Sequence, residues 1–185
     1  MNLEKTTLGN LTTNGKGEYG VSASAEPFSS SKYTYLRITD INDDGTINKS
    51  DLKSVSVDNP KKYLLKENDI VFARTGASTG RNYFYNSKDG NFIYAGFLIK
   101  FSLDCTKVNP RFIKYFCLSQ EYKDWIASYN TGSTRGNINA KTLSNMPIAL
   151  PPKEYQDKCV EILTSIDDKI SLNNKINKNL SKLIS

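Results

Sequence analysis

The sequence predicts an α+β protein, with a mixed-sheet domain over residues 1–151 and a long C-terminal helix over residues 152–185. Short alternating or fully apolar runs between turn residues predict strands in the first two thirds of the chain. Compact helical segments begin at Asn109, and neither glycine nor proline occurs from Lys153 onward, so helices are predicted in the last third.

The strands can be placed in chain order. Residues 1–31 are polar, rich in Ser, Thr and Gly, and predict an entry segment made mainly of loops. Asp43-Asp44-Gly45 predicts a turn after the first strand, and a polar stretch separates the next two apolar runs. Residues 93–101 give the strongest strand signal. The predicted strands are residues 33–39, 63–65, 70–73, 93–101 and 146–150.

Two short helices are predicted before the long one. Asn109 can accept hydrogen bonds from exposed amides and Pro110 fits a first helical turn, so a helix is expected over residues 110–118. A second is expected over residues 121–128, and Pro151-Pro152 closes the domain.

The C-terminal segment predicts a helix of up to 33 residues, about 50 Å long. Such a helix could fold back on its own domain, but its length and two-sided polarity favour a protruding coiled-coil arm. Its apolar stripe, with Asn173 in the gap, consists of Cys159, Leu163, Ile166, Ile170, Ile176, Leu180 and Ile184.

Net charge and amino-acid composition restrict the classes of function that this chain can have. The net charge is +6, of which +5 lies in residues 1–152, so the domain could bind a polyanion, although many solvated surfaces carry a similar charge. The chain contains no histidine, the commonest general base and metal ligand. Three widely spaced cysteines argue against a disulfide framework or zinc site and favour the cytoplasm. No apolar run approaches the length that spans a bilayer.

Three candidate catalytic motifs are incomplete or absent in this sequence. Residues 76–81 resemble a phosphate-binding loop, but the glycine spacing is one residue short and Arg81 replaces the lysine. Asn109-Pro110-Arg111-Phe112 lacks the second proline of an amino-methyltransferase motif, and a helix cap explains it. No acidic pair followed by Glu-x-Lys indicates a metal-dependent nuclease. We therefore expect no catalytic residue, metal site or cofactor on this chain.

Two polar loops remain, residues 74–81 and 132–139. Their glycines allow close backbone approach, and their Ser, Thr, Asn and Arg side chains can donate hydrogen bonds to phosphates and base edges. Tyrosines at alternate strand positions usually pack in a sheet, so Tyr33, Tyr35 and Arg37 are weaker candidates. The main DNA-binding candidates are Arg74, Thr75, Ser78, Thr79, Arg81, Ser133, Thr134, Arg135, Asn137 and Asn139.

Four phrases in order resemble one half of the specificity subunit of a type I restriction–modification system. The phrases are Tyr35-Leu-Arg-Ile-Thr-Asp-Ile, Leu65-Lys-Glu-Asn-Asp-Ile-Val-Phe-Ala-Arg-Thr-Gly-Ala-Ser-Thr-Gly, Gly132-Ser-Thr-Arg-Gly-Asn-Ile-Asn and Met146-Pro-Ile-Ala-Leu-Pro-Pro-Lys-Glu-Tyr-Gln, followed by a helix. Tyr155 departs from the acidic residue that the family commonly has before the glutamine.

The resemblance implies a target-recognition domain over residues 1–151 and a spacer helix over residues 152–185. It also implies methyltransferase subunits that supply S-adenosylmethionine chemistry and a separate restriction subunit that uses ATP and magnesium. Family members usually carry two such halves, and this chain carries one. Two chains could therefore pack their helices as an antiparallel homodimer and bind an inverted repeat; otherwise the helix pairs with methyltransferase or a different recognition chain.

Two other classes of function stay open on the residues alone. One is a small stand-alone nuclease or methyltransferase, and the other is a protein-interaction module that uses its basic face for an acidic partner. The sequence does not reveal which bases are recognised.

Overall fold

The computed structural model describes residues 2–129 and 136–184, which form strands and helices as the α+β prediction requires. The strands are β1 (Glu4–Thr7), β2 (Glu18–Tyr19), β3 (Tyr33–Leu36), β4 (Lys53–Val55), β5 (Asp69–Ala73), β6 (Asn82–Phe84), β7 (Phe92–Tyr94), β8 (Leu98–Ser102) and β9 (Pro147–Leu150). The helices are α1 (Pro60–Tyr63), α2 (Pro110–Phe116), α3 (Gln120–Ala127), α4 (Ala140–Ser144) and α5 (Lys153–Ile184).

The strands form three small sheets. A four-stranded antiparallel sheet has the order β2-β8-β5-β6, and a three-stranded mixed sheet has the order β4-β3-β7. In the mixed sheet, β3 runs parallel to β7 and antiparallel to β4. β1 pairs with β9, so the start of the chain is joined to the last strand before the long helix.

β5 is the centre of the fold because both of its faces are buried. Ile70 and Phe72 point into a core that also contains side chains from α2, α3 and β9. Val71 and Ala73, which alternate with them, point into a second core shared with the three-stranded sheet. Burial on both faces explains why this strand is a continuous apolar run in the sequence.

The predicted strand over residues 93–101 is wrong as a single element. It is divided between β7 in the three-stranded sheet and β8 in the four-stranded sheet. The chain turns between them, where the Leu98 amide donates to the Ala95 carbonyl at 2.8 Å. Gly96 supplies the bend, and its amide donates to the Val21 carbonyl at 2.8 Å.

Three other local predictions need correction. Residues 60–63 form α1 because Pro60 fits a first helical turn, and of the predicted strand 63–65 only Leu64 makes a β-bridge, with Ile93. The entry segment contains β1 and β2 because both find partner strands far along the chain. β3 ends at Leu36, since Arg37 begins a 3₁₀ turn that its own contact with Asp40 caps.

The long helix is confirmed. α5 has 32 residues and is therefore about 48 Å long. Its first turns pack on α2 through the buried Gln156 and Val160. Lys114 and Tyr115 of α2 also reach Asp167, at 2.6 and 2.9 Å. Every described side chain over residues 168–182 is exposed, so the helix extends beyond the domain as an arm.

Candidate nucleic-acid interface

One end of the four-stranded sheet brings together two arginines and two aromatic residues. β2 and β5 end at this edge and β8 and β6 begin there, because each neighbouring pair is antiparallel. The residues at or next to these four strand ends are Tyr19, Arg74, Arg81 and Phe97. Arg74 and Arg81 flank one loop, and sheet order brings Tyr19 and Phe97, from separate parts of the chain, to the same edge.

The two predicted polar loops meet at this edge. The Ile138 amide donates to the Arg74 carbonyl at 2.8 Å, and the Gly76 amide donates to the Gly136 carbonyl at 3.2 Å. Thr75 and Asn137 form an antiparallel bridge between the same segments. Residues 74–81 and 136–139 therefore make one continuous backbone surface, called here the joined loops.

The guanidinium of Arg74 is held in the centre of the joined loops. Its Cζ lies 5.1 Å from the centroid of the Tyr19 ring, and its Nη2 donates to the Asn137 side-chain oxygen at 3.2 Å. Its Nε is buried and has no hydrogen-bond partner within the described part of the chain. The remaining N–H groups of a guanidinium with five donors can bind phosphate or a base edge.

Tyr19 is itself fixed in place. Its hydroxyl oxygen accepts a hydrogen bond from the Ala140 amide at 3.1 Å, at the start of α4. The ring is thus tied to α4 at one side and supports Arg74 at the other, and this arrangement preorganises the arginine.

The Thr79 hydroxyl fastens the first loop to the second. Thr79 Oγ1 lies 2.7 Å from the Gly76 carbonyl oxygen and 3.0 Å from that of Gly136, so its single proton is shared across both segments. Ser78 is buried, and it leaves little surface for a ligand. A role for Thr75, Ser78 and Thr79 in DNA binding stays a prediction.

Arg81 lies at the same edge but has an internal partner. Its Nε donates to Asp43 at 2.6 Å and its Nη1 donates to the Ile41 carbonyl at 3.3 Å. The Asp43 side chain is 84% exposed, so water screens this ion pair and it contributes little stability. A phosphate could therefore replace Asp43 as the partner of Arg81.

The second loop is described from Gly136 onward. Asn137 is exposed beside Arg74, and Asn139 accepts a hydrogen bond from the Thr142 amide at 2.8 Å as the cap of α4. Ser133, Thr134 and Arg135 lie outside the described residues. A DNA-binding role for these three residues stays a prediction.

The weaker candidates belong to the three-stranded sheet. Tyr35 is 5% exposed, and its hydroxyl donates to the Val21 carbonyl at 2.7 Å, which is a packing role. Arg37 donates two hydrogen bonds to Asp40, at 3.0 and 2.6 Å. Tyr33 is partly buried. DNA contacts by these three residues stay a prediction.

The predicted apolar stripe of α5 is largely uncovered. Its described side chains range in exposure from 37% at Leu163 to 54% at Ile170, and Cys159 is also exposed. Val160 and Thr164, one position further on, face the domain instead. Asn173 is exposed within the stripe, and Ile184 is the last residue of the helix.

Sequence reasoning missed Tyr19 and Phe97. Tyr19 lies in a polar segment without periodicity, and Phe97 lies within what the pattern predicts to be one continuous strand. The available signal for an exposed turn was the glycine that interrupts this apolar run directly before the aromatic residue, as Gly96-Phe97.

Over residues 2–129 and 136–184, no three Cys, Asp or Glu side chains cluster closely enough to hold a metal ion. Within the same residues, each helix is either too short or too polar to span a bilayer.

One protein family matches nearly the whole chain. The model of the type I restriction modification DNA specificity domain matches residues 2–182. The type I restriction enzyme HindI specificity subunit of Haemophilus influenzae is 29% identical over 125 residues, which are 66% of this chain and 27% of that subunit.

Solved structures share the fold. The HsdS subunit from Thermoanaerobacter tengcongensis has a TM-score of 0.62 at 14% identity, over 95% of this chain and 44% of that one. The type I restriction-modification system S subunit from M. genitalium has a TM-score of 0.60 at 18% identity, over 92% of this chain and 40% of that one. This chain thus spans less than half the length of each of these relatives.

Proposed function

Because the chain belongs to the type I restriction modification DNA specificity domain family, we propose that it directs methyltransferase and restriction subunits to a bipartite DNA site. The domain binds one half-site through the end of the four-stranded sheet. The helix α5 sets the distance to the second half-site.

The observation that carries this proposal is the Arg74 site in the joined loops. Arginine and asparagine side chains that project side by side are suited to bidentate contacts with guanine and adenine edges in the major groove. The ring of Tyr19 and the bond to Asn137 orient Arg74 before DNA arrives, so little side-chain freedom is lost on binding. Arg81, with its exposed partner Asp43, supplies a second cation for the phosphate backbone.

In this proposal the chain selects the sequence and performs no chemistry. Methyltransferase subunits would bring S-adenosylmethionine, and a restriction and motor subunit would bring ATP and magnesium. The absence of histidine supports this division, because general acid–base catalysis most often uses that residue. The complex would act in the cytoplasm, where its DNA substrate lies.

We further propose that α5 joins two copies of the chain. Leu163, Ile166 and Ile170 are 37%, 46% and 54% exposed in the isolated chain, and exposed apolar stripes of this length usually mark an interface. Antiparallel packing of two helices would bury the stripe and place the two domains at opposite ends. The two-fold dimer would recognise an inverted repeat.

The test is to produce the chain with its methyltransferase subunit in a host that lacks both, and to sequence the genome for modified bases. We expect one bipartite methylated motif, which disappears when the chain is omitted and the methyltransferase is retained. Methylation that is absent, or unchanged without the chain, would overturn the proposal. A motif whose halves are not inverted copies would overturn the homodimer alone.

A further inference from the structure

Phe97 is a large apolar side chain held in solvent beside the Arg74 site. It lies in the turn between β7 and β8 and is 58% exposed. Its backbone carbonyl accepts a hydrogen bond from the Arg74 amide at 3.0 Å, so the two residues are direct neighbours across the sheet edge.

The turn that carries Phe97 is firmly anchored. The Leu98 amide donates to the Ala95 carbonyl within the turn, and the Ala95 amide donates to the Leu36 carbonyl at 2.9 Å. Leu98 itself is fully buried. Since the backbone is fixed on both sides of it, the exposure of Phe97 is a feature of the fold and not of a loose loop.

A phenylalanine ring offers no hydrogen-bond donor or acceptor, so its ligand must present an apolar group. Its neighbour Arg74, and Asn137 bonded to Arg74, are residue types that are suited to reading polar base edges in the major groove. The apolar group available in that groove is the C5-methyl group of thymine. A phenylalanine that instead inserts between stacked bases in the minor groove does not depend on the C5-methyl group, so the deoxyuridine experiment below separates the two roles.

We propose that Phe97 contacts the C5-methyl group of a thymine and thereby fixes one A·T pair of the half-site. The inference rests on the proposed DNA recognition and adds a specificity-determining residue to it. Burying one methyl group against the ring corresponds to about a fourfold preference for thymine over uracil at that position.

The experiment selects binders from a randomised duplex pool with the 185-residue chain and with its Phe97→Ala and Phe97→Leu variants. We expect the wild-type motif to contain one A·T pair that depends on Phe97. The Phe97→Ala variant should lose the preference for A·T at that position, and Phe97→Leu should keep part of it. Phe28→Ala is the matched control, because Phe28 is 55% exposed and does not adjoin the joined loops in sequence. It should select the wild-type motif.

Deoxyuridine replacement then tests the methyl group directly. Replacing the selected thymine should weaken wild-type binding about fourfold and leave Phe97→Ala binding unchanged. An identical motif for Phe97→Ala, a uniform loss over all sequences, or equal binding of uracil and thymine by the wild type would overturn the inference while DNA recognition stands. If the wild-type chain selects no motif, the proposed function itself fails.

Discussion

The guanidinium of Arg74 lies over the ring of Tyr19, with Cζ 5.1 Å from the ring centroid, and donates to Asn137 from the same position. Arg74 and Asn137 are 63 residues apart in the chain. The aromatic ring supports the guanidinium from one side, and the Asn137 side-chain oxygen accepts one of its hydrogen bonds. Two loops that are separate in sequence are thereby joined into one surface, which we propose to be the DNA-recognition surface.

Replacing Arg74 with alanine should relax recognition at one position of the DNA site. A base-reading arginine contributes about 1–3 kcal/mol against the wrong base, so the loss should appear at that position and not at others. The measurement is binding to the methylated motif and to its single-base variants. Arg111→Ala, which removes an exposed arginine from α2, is the control and should leave the pattern unchanged. A uniform loss across all sequences would assign Arg74 to phosphate instead.

Introducing a charge into the stripe of α5 should dissociate the dimer. Ile166→Asp or Ile170→Asp would bury a carboxylate at the helix interface without a partner, which is strongly unfavourable. Sedimentation of the wild-type chain at tens of micromolar should show a dimer, and both variants should sediment as monomers. Ser165→Asp adds the same charge on a different face of the helix and should remain dimeric. A wild-type monomer that neither variant alters contradicts the proposed homodimer.

The stability of the domain should depend on pH through Asp69. Burial raises the pKa of this carboxyl, against the opposing effects of hydrogen bonds from Ser102 and the Lys66 amide and of the nearby Lys100. An unfolded aspartate has a pKa of about 3.9, and folding raises the pKa of Asp69. At a pH between these two pKa values, the folded state binds more protons than the unfolded state. The contribution of Asp69 to stability therefore falls as the pH rises through that window.

The change is best measured against Asp69→Asn, which cannot titrate. We expect the difference in free energy of unfolding, wild type minus variant, to fall as the pH rises from about 4. Urea unfolding over a pH series provides the measurement. A difference that rises with pH would contradict the burial effect.

Gln156 should be the residue that most strongly ties α5 to the domain. Its side chain is 2% exposed, accepts from the Asn109 amide at 2.8 Å and donates to the Pro151 carbonyl at 2.8 Å. Gln156→Ala leaves both backbone groups without this partner and should lower the free energy of unfolding by about 1–3 kcal/mol. In urea unfolding, the exposed Gln120→Ala should have a smaller effect. Equal effects would show that the buried amide is not an anchor.

Some elements could be predicted because their cause is local. Asn109 and Pro110 provide the cap and first turn of α2, and the structure shows the Asn109 side chain accepting from the Arg111 amide at 3.0 Å. The apolar run of β5 is continuous because both faces are buried, and α5 has no helix-breaking residue. These three elements are confirmed at close to their predicted bounds.

Other elements could not be predicted because their partners are distant. β2 consists of two polar-segment residues that become a strand only by pairing with Lys100 and Ile99 of β8. The division of residues 93–101 depends on which sheet receives each half, and an apolar run carries no such information. Arg37 and Tyr35 share an alternating pattern, yet Arg37 leaves the strand because Asp40 captures its guanidinium.

By itself the sequence determined the fold class, the position of the long helix, the two polar loops and the family resemblance, since composition, caps and short-range periodicity are local properties. Only the tertiary structure decided that the loops touch, that Tyr19 lies under Arg74 and that Phe97 stands beside them. The reason is that strand order is fixed by hydrogen bonds and packing between segments far apart in the chain. The proposed recognition surface lies at an edge where two strands end and two begin, and that edge exists only after the sheet has formed.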